Sequence, residues 1–221
     1  MTFPSLRFRA VLLLPVLLAC RSTEPTPPPI PGEPFVRVDN VRRGLTDASL
    51  LAAFTDQSGI TWVGGNVAAV FHRQGSGAWQ AEPVPVSGFV TGIWQDGDGH
   101  LLLAAGEELL QRSLTAPSWS PVPLDNAAIL LELWGLDAEQ LFLGGTGGTI
   151  LRRVGGNWLR AETPVGTEIW GFGGTGPDDL VAVGQSGTIL ESHDGGATWQ
   201  AAPSPTTATL FDVVADGAGR M

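Results

Sequence analysis

A repeat of about 40 residues constrains this chain more than any other feature of its sequence. Tryptophan recurs at intervals of 40, 39 and 41 residues, at Trp79, Trp119, Trp158 and Trp199. A second aromatic column contains Phe54, Trp94 and Trp134, and we expect Trp170 to continue it after a shorter gap. Small residues at positions 64, 104, 144 and 184 form a third column, where we expect close backbone approach and positive φ. Several columns with one period indicate a repeat architecture.

Each period divides into four short runs rich in apolar residues. In the third repeat these runs cover residues 129–136, 140–143, 149–154 and 158–161. The residues between the runs are those that favour tight turns between strands. No segment keeps a 3.6-residue period long enough for a stable helix, so helical repeats fit poorly. Four strands in about 40 residues predict an all-β propeller built from four-stranded blades.

The predicted propeller occupies residues 35–221 and has four complete blades and part of a fifth. The blades cover residues 49–85, 88–124, 129–164 and 168–205, and the partial blade covers 210–221. Residues 35–38 could supply one further strand. Because closed propellers contain four to eight complete blades, we expect an incomplete ring, from a truncated sequence or one piece of a longer reading frame. A small ring with irregular closure is the alternative.

Residues 1–19 are typical of an export signal. Arg7 and Arg9 precede a short apolar run at 10–18, which is too short to span a bilayer as a mature helix. The run ends in Leu17-Leu18-Ala19-Cys20, and Cys20 is the only cysteine of the chain. This segment resembles the lipobox of bacterial lipoproteins, which implies cleavage before Cys20 and acylation of its thiol. An ordinary cleaved signal peptide is the alternative.

Residues 20–34 are predicted to be a tether, because six prolines between positions 25 and 34 favour extended polyproline II. After cleavage the chain carries ten arginines, no lysine and 22 acidic residues, a formal charge of −12. Such a charge argues against nucleic acid as a partner and against membrane contact through a basic face. We therefore expect a monomer that is held at the membrane by acylated Cys20. Arg21, at the position where Asp favours inner-membrane retention, favours the outer membrane.

The fourth repeat carries two family resemblances. The run Ser192-His193-Asp194-Gly195-Gly196-Ala197-Thr198-Trp199 is similar to the Asp-box of bacterial neuraminidase (BNR) repeats, S-x-D-x-G-x-T-W. The preceding residues 183–190 are similar to the repeats of Ycf48-like assembly factors. The resemblance covers about residues 45–221 and implies a propeller of the WD40/YVTN/BNR type. We expect the Asp-box residues to be structural, with a carboxylate that accepts backbone N–H groups in a turn: Ser192, Asp194, Gly196 and Trp199.

No catalytic residue, metal site or cofactor is expected. Sialidase chemistry, which the neuraminidase resemblance suggests, uses a Tyr nucleophile, and the chain contains no Tyr. Eight of the 22 acidic residues recur at turns, where we expect them to be solvated: Asp56, Asp96, Asp98, Asp137, Glu139, Asp178, Asp179 and Asp216. The run 96–99 resembles a fragment of a calcium loop without its distal Glu, so a hairpin turn is the better interpretation. The three histidines lie in different repeats and are interpreted as solvated side chains: His72, His100 and His193.

Binding is the leading function by elimination. A propeller on a lipid tether would present one face, made of loops and of connections such as 162–168, to a protein or glycan partner. The candidate partner-binding residues on that face are Asn66, Glu107, Glu108, Asp125, Asn126 and Gln185. Ordinary solvated loops are the alternative. Two other functions stay open: an assembly factor for a membrane complex, as the Ycf48-like resemblance implies, and a fragment of a carbohydrate-active protein whose catalytic residues lie elsewhere.

Replacement of Cys20 by Ala should abolish incorporation of a fatty-acid probe, because lipoprotein acylation begins at this thiol. Metabolic labelling of cells that express the full chain, followed by detection of the probe on the purified protein, measures the effect. Ser22→Ala is the matched control and should label like the wild type. Equal labelling of the wild type and Cys20→Ala would contradict the assignment.

Overall fold

The computed structural model describes residues 49–116, 118–125 and 128–215. Cys20, the tether, Asn126 and Asp216 lie outside the described residues. Sixteen strands form four antiparallel sheets of four strands each, and every sheet is one blade. No helix within the described ranges is both long enough and apolar enough to cross a membrane.

The strands follow one another in chain order within each blade. Blade 1 contains β1 (Leu50–Thr55), β2 (Ile60–Gly65), β3 (Val70–Gln74) and β4 (Gln80–Ala81). Blade 2 contains β5 (Val90–Gln95), β6 (His100–Ala105), β7 (Glu108–Ser113) and β8 (Ser120–Val122). Blade 3 contains β9 (Leu130–Gly135), β10 (Leu141–Gly145), β11 (Ile150–Val154) and β12 (Asn157–Arg160). Blade 4 contains β13 (Ile169–Gly176), β14 (Asp179–Gly184), β15 (Ile189–Ser192) and β16 (Gln200–Ala201).

Neighbouring blades pack against one another through their first strands. β1 contacts β5, β5 contacts β9, and β9 contacts β13. Residues 208–215 extend this series beyond blade 4. The amide of Leu210 donates to the carbonyl of Gly184, as the amide of Leu130 donates to that of Gly106. Leu210 and Val213 also pack on buried residues of blade 4. The segment 208–215 therefore takes the place of a fifth first strand, as the sequence predicts.

The tryptophan column fills the gaps between blades. Trp199 is 4% exposed and packs with Phe142 of blade 3 and Phe172 of its own blade. Trp119 and Trp158 pack in the same way against the clusters that join blade 2 to blade 1 and blade 3 to blade 2. The prediction that this column lies between the blades is therefore confirmed at these three positions.

The fourth repeat is one residue shorter in this region, which makes two column assignments wrong. Trp134 pairs with Phe142, and the equivalent pair in blade 4 is Gly173 with Val181. The glycine at position 173, and not Trp170, thus continues the second aromatic column. Likewise Gly184 stands where blade 3 has Gly145, because both lie against the carbonyl of the residue before the first strand.

The small residues of the third column are required by close packing alone. A Cβ atom at Gly64 would lie 2.4 Å from Val90 of blade 2, and one at Gly144 would lie 3.0 Å from the carbonyl oxygen of Ile169 of blade 4. The expected positive φ is wrong for this column. Positive φ occurs instead a few residues later, at Gly147, Gly148 and Gly187 in the loops that follow the second strands.

Truncation of Trp199 to Ala should lower the free energy of unfolding by about 3–5 kcal/mol, because it removes a buried aromatic side chain between two blades. Trp79 is the matched control, since it holds the same place in blade 1 but is half-buried, with the Arg73 guanidinium 4.6 Å from its ring centroid. Trp79→Ala should cost clearly less in urea denaturation. Equal losses would contradict the assignment of the column to the gaps between blades.

Candidate functional site

One end of the propeller, the loop face, collects the loops after the second strands and the connections between blades. The amide of Ala68 donates to the carbonyl of Gly88, and the amide of Thr146 donates to that of Ile129. The amide of Gly148 donates to the carbonyl of Thr167 in the next connection. Because these bonds join successive blades or a loop to its own first strand, the loop face is a continuous surface.

The predicted partner-binding residues are distributed along the loop face. Glu107 and Glu108 are exposed beside each other in blade 2, Asp125 is exposed in the connection to blade 3, and Gln185 is exposed in blade 4. The side-chain oxygen of Asn66 accepts a hydrogen bond of 2.9 Å from the amide of Ser49, so this residue fixes its loop to the first strand. Asn126 lies outside the described residues. A role of these residues in binding stays a prediction.

Every first strand contains a bulge at its second residue. The register shifts between Leu50 and Ala52 in blade 1, and the same shift occurs in the other three blades. A bulged residue has no partner in the regular strand pairing, so its side chain is free to lie at the inner edge of the blade. The indole of Trp170, the bulged residue of blade 4, accordingly contacts Phe211 with ring centroids 5.5 Å apart.

Large apolar side chains are exposed where the first strands begin. Phe89 is 61% exposed and Ile129 is 49% exposed, and each directly precedes the first strand of its blade on the loop face. Leu51 and Phe211, at the bulge position, are 52% and 47% exposed. We name these four residues the axial apolar surface. Exposed large apolar side chains that recur at the same end of the first strands are candidates for an interaction site. Sequence analysis missed them because each residue belongs to a run that predicts a buried strand.

The connection between blades 3 and 4 bounds a shallow depression on the loop face. Its volume is about 390 Å³, and its lining includes Arg160, Glu162 and Thr163. The hydroxyl of Thr163 donates to the carbonyl of Gly148 at 2.8 Å, which fixes the floor of the depression.

The turn that carries the Asp-box-like sequence, residues 192–199, lies between β15 and β16. The carboxylate of Asp194 accepts hydrogen bonds from the amides of Ala197 and Thr198 at 3.0 Å and from the Thr198 hydroxyl at 2.6 Å. These bonds, the strongest of them from the Thr198 hydroxyl, lower the pKa of Asp194 to about 2. Because all three of these hydrogen bonds come from residues of the same turn, the Asp194 carboxylate stabilises the conformation of that turn.

Gly196 and Ser192 connect the Asp-box to the core. Ser192 is buried, and its hydroxyl donates to Asp194 and accepts from the amide of Gly196. A Cβ atom at Gly196, where φ is +77°, would lie 2.2 Å from the ring of Phe142 in blade 3. The indole N–H of Trp199 donates to the Gly196 carbonyl at 3.2 Å.

Two of the turn acids are buried, and the expectation that they are solvated is therefore wrong. Asp56 is 5% exposed and accepts from the amides of Ser58 and Ile60 and from the indole of Trp62. Although burial raises the pKa of Asp56, these bonds leave it below its ordinary value. The burial comes from the turn folding back over its own second strand, which the sequence pattern does not reveal.

The other buried turn acid, Asp96, belongs to a charged cluster between blades 2 and 3. Potential ligand atoms of Asp96, Asp98 and His100 lie within 4.8 Å of one another. However, the guanidinium of Arg153 on β11 lies 2.9 Å from Asp96 and 3.2 Å from Asp98. Arg153 thus supplies the cation at this cluster, which joins two blades by ion pairs. His72, expected to be solvated, is half-buried and stacks on Trp62 with centroids 4.6 Å apart.

Glu132 and Asp212 form a pair of acidic groups near the axis. Glu132 is the third residue of β9, and Asp212 is the third residue of the segment that begins at Leu210. The third residue of β13, between them, is Gly171, whose added Cβ would lie 2.9 Å from the Cα of Asp212. Burial, and then the charge of Asp212, raises the pKa of Glu132 to about 8. Burial also raises the pKa of Asp212, partly offset by the hydrogen bond from the amide of Val213. Alignment of the first strands could have revealed this pair.

Comparison with known proteins supports the fold. No known protein family and no curated protein matches the sequence. Among solved structures, virginiamycin B lyase from Staphylococcus aureus superposes with a TM-score of 0.66 and 15% identity over 79% of this chain and 62% of its own. Ycf48 bound to D1 peptide superposes with a TM-score of 0.52 and 21% identity, over 72% of this chain and 54% of its own. The GH74 enzyme of Niastella koreensis superposes with a TM-score of 0.58 and 12% identity, over 67% of this chain and 28% of its own.

The chain is a β-propeller by fold. Identities of 12–21% establish the architecture and leave the function open. The chain spans 62%, 54% and 28% of these three structures, so its four blades match part of each of them.

The free energy of unfolding should fall as the pH rises from about 4.5 to about 8, because folded Glu132 holds its proton until about pH 8 whereas the unfolded chain releases it near 4.5. Glu132→Gln should flatten this dependence, and Asp212→Asn should shift its upper limit to lower pH by removing a like charge. Exposed Glu108→Gln is the control and should leave the profile unchanged. Urea titrations between pH 4 and 9 measure the effect. An unchanged slope in Glu132→Gln would contradict the raised pKa of Glu132, and an unchanged upper limit in Asp212→Asn would contradict the influence of Asp212.

Proposed function

We propose that this propeller is a lipid-anchored, extracytoplasmic binding platform that presents its loop face to a protein partner. The observation that carries the proposal is the axial apolar surface, where four large apolar side chains remain about half exposed on one face. Burial of apolar area is the main driving force of protein association. Anchoring through acylated Cys20, with the outer membrane as the location, completes the proposal.

A specific form of this function is an assembly factor for a membrane complex. The observation in its favour is the similarity of the fold to Ycf48 bound to D1 peptide. The occupant in that structure is a peptide, so a propeller of this shape can take a protein segment. We infer a protein rather than a glycan partner because the exposed residues at the axis are aliphatic or phenyl side chains.

A carbohydrate-active function is the second candidate, and one observation favours it. Glu132, with its raised pKa beside the carboxyl of Asp212, has the environment of a general acid. GH74 shares the fold at 12% identity. We propose that the pair is structural, since Asp212 belongs to the strand that packs on blade 4. A glycan array and hydrolysis assays with the wild type and Glu132→Gln test the alternative, and turnover lost in the variant would replace the platform proposal.

A photo-crosslinking residue at Gln185 or Glu107 of the full, membrane-anchored chain should capture a distinct protein in intact cells, because both positions are exposed on the loop face. The matched control is the exposed Asp178, in the turn between β13 and β14 at the opposite end. Protease-sensitive adducts at the two loop-face positions alone support the proposal. Adducts of equal intensity at Asp178, or protease-resistant and glycosidase-sensitive adducts, would contradict it.

A further inference from the structure

Exposed carboxylates accompany the axial apolar surface at the start of β9. Glu107 and Glu108 are exposed directly after Gly106, whose carbonyl accepts from the amide of Leu130 beside Ile129. Asp125 is exposed in the connection that leads to the same strand. We name these three acidic side chains the acidic rim.

The arginines of the described residues are placed away from this rim. Arg73, Arg112 and Arg152 pair across the sheet with Thr61, Leu101 and Phe142, near the starts of the second strands and thus toward the opposite end. Arg153 is held by the Asp96 cluster at that same end. Arg160, at the outer edge of blade 3, is the one arginine of the described part of the chain that lines the loop face. Apart from Arg160, the exposed charged side chains that residues 49–215, as described, place on this face are consequently acidic.

We infer that the axial apolar surface binds a basic peptide segment of a partner protein, with one large apolar side chain inserted between Phe89 and Ile129 and Lys or Arg residues against Glu107, Glu108 and Asp125. This inference rests on the proposed function and adds the chemistry of the partner. Apolar burial supplies affinity, and charge complementarity supplies orientation and a faster association rate.

Charge argues against the other occupants of the surface. A second copy of the chain would bring the same acidic rim, and the formal charge of −10 over the whole sequence opposes self-association. An anionic lipid surface is repelled by the rim for the same reason. A neutral glycan would leave the acidic side chains without partners.

Binding of three labelled peptides to the full chain tests the inference by fluorescence anisotropy. The first has a central Trp flanked by two Lys-Arg pairs, the second replaces the basic residues by Glu, and the third replaces Trp by Ser. The first peptide should bind at least about tenfold more tightly than either of the others. Its affinity should also fall as NaCl rises from 50 to 500 mM, because salt screens exposed charges.

Variants of the protein locate the site. Phe89→Ser and Ile129→Ser should each lower the affinity for the first peptide by about tenfold. The double variant Glu107→Gln/Glu108→Gln should lower this affinity and also reduce its dependence on salt. Val154→Ser is the matched apolar control, since Val154 is 41% exposed at the far end of β11. Asp178→Asn is the matched charge control, and both controls should bind like the wild type. Unchanged thermal unfolding in each variant excludes loss of fold.

The outcomes separate this inference from the proposed function. Equal binding of the basic and acidic peptides, or equal losses in Phe89→Ser and Val154→Ser, would overturn the inference. If loop-face crosslinks to a protein persist in cells while the basic peptide does not bind, the platform function stands and the partner chemistry is wrong. Self-association detected by sedimentation and weakened by Phe89→Ser would assign the surface to a second copy.

Discussion

Close approach of neighbouring first strands is the constraint on which the rest of the structure depends. A Cβ atom at Gly92 would lie 2.4 Å from Cβ of Leu133, so the backbone of β9 rests directly on that of β5. The apolar faces of successive sheets then meet without a gap, and residues such as Leu103, Leu143 and Trp199 lose nearly all contact with water. Four sheets that share this contact become one radial stack.

The same approach determines which side chains remain at the surface. First strands that converge this closely cannot keep a regular ladder along their whole length, and each has a bulge at its second residue. The bulge directs Leu51 away from the inter-blade cores, and Leu51 stays about half exposed, as does Phe211 at the second position of the segment from Leu210. The axial apolar surface is thus a consequence of blade packing. At the opposite end, turns such as those of Asp56 and Asp194 satisfy their own backbone amides and close the hairpins.

The sequence predicts the blades well because strand, turn and tryptophan positions repeat in every period, and each repeat contributes one independent sheet. It misplaces Trp170 and Gly184, because one residue fewer separates the third and fourth repeats and only hydrogen-bond register reveals this. The burial of Asp96 depends on Arg153, 57 positions away. Glu132 and Asp212 lie on either side of Gly171 of the intervening blade, and only the radial stack brings their charges near enough to influence each other.

Charge and geometry together suggest how such a platform would be oriented. If Cys20 is acylated, residues 21–48 separate the lipid from blade 1 in the chain. A bilayer with anionic headgroups repels the exposed acids of the loop face, namely Glu107, Glu108, Asp125 and Glu162. Arg73, Arg112 and Arg152 lie toward the other end. There Arg112 forms an ion pair with Glu82, and the Arg73 guanidinium lies over the ring of Trp79. Electrostatics would therefore favour a loop face directed away from the anchoring membrane, which is where a partner's basic segment could reach Phe89 and Ile129.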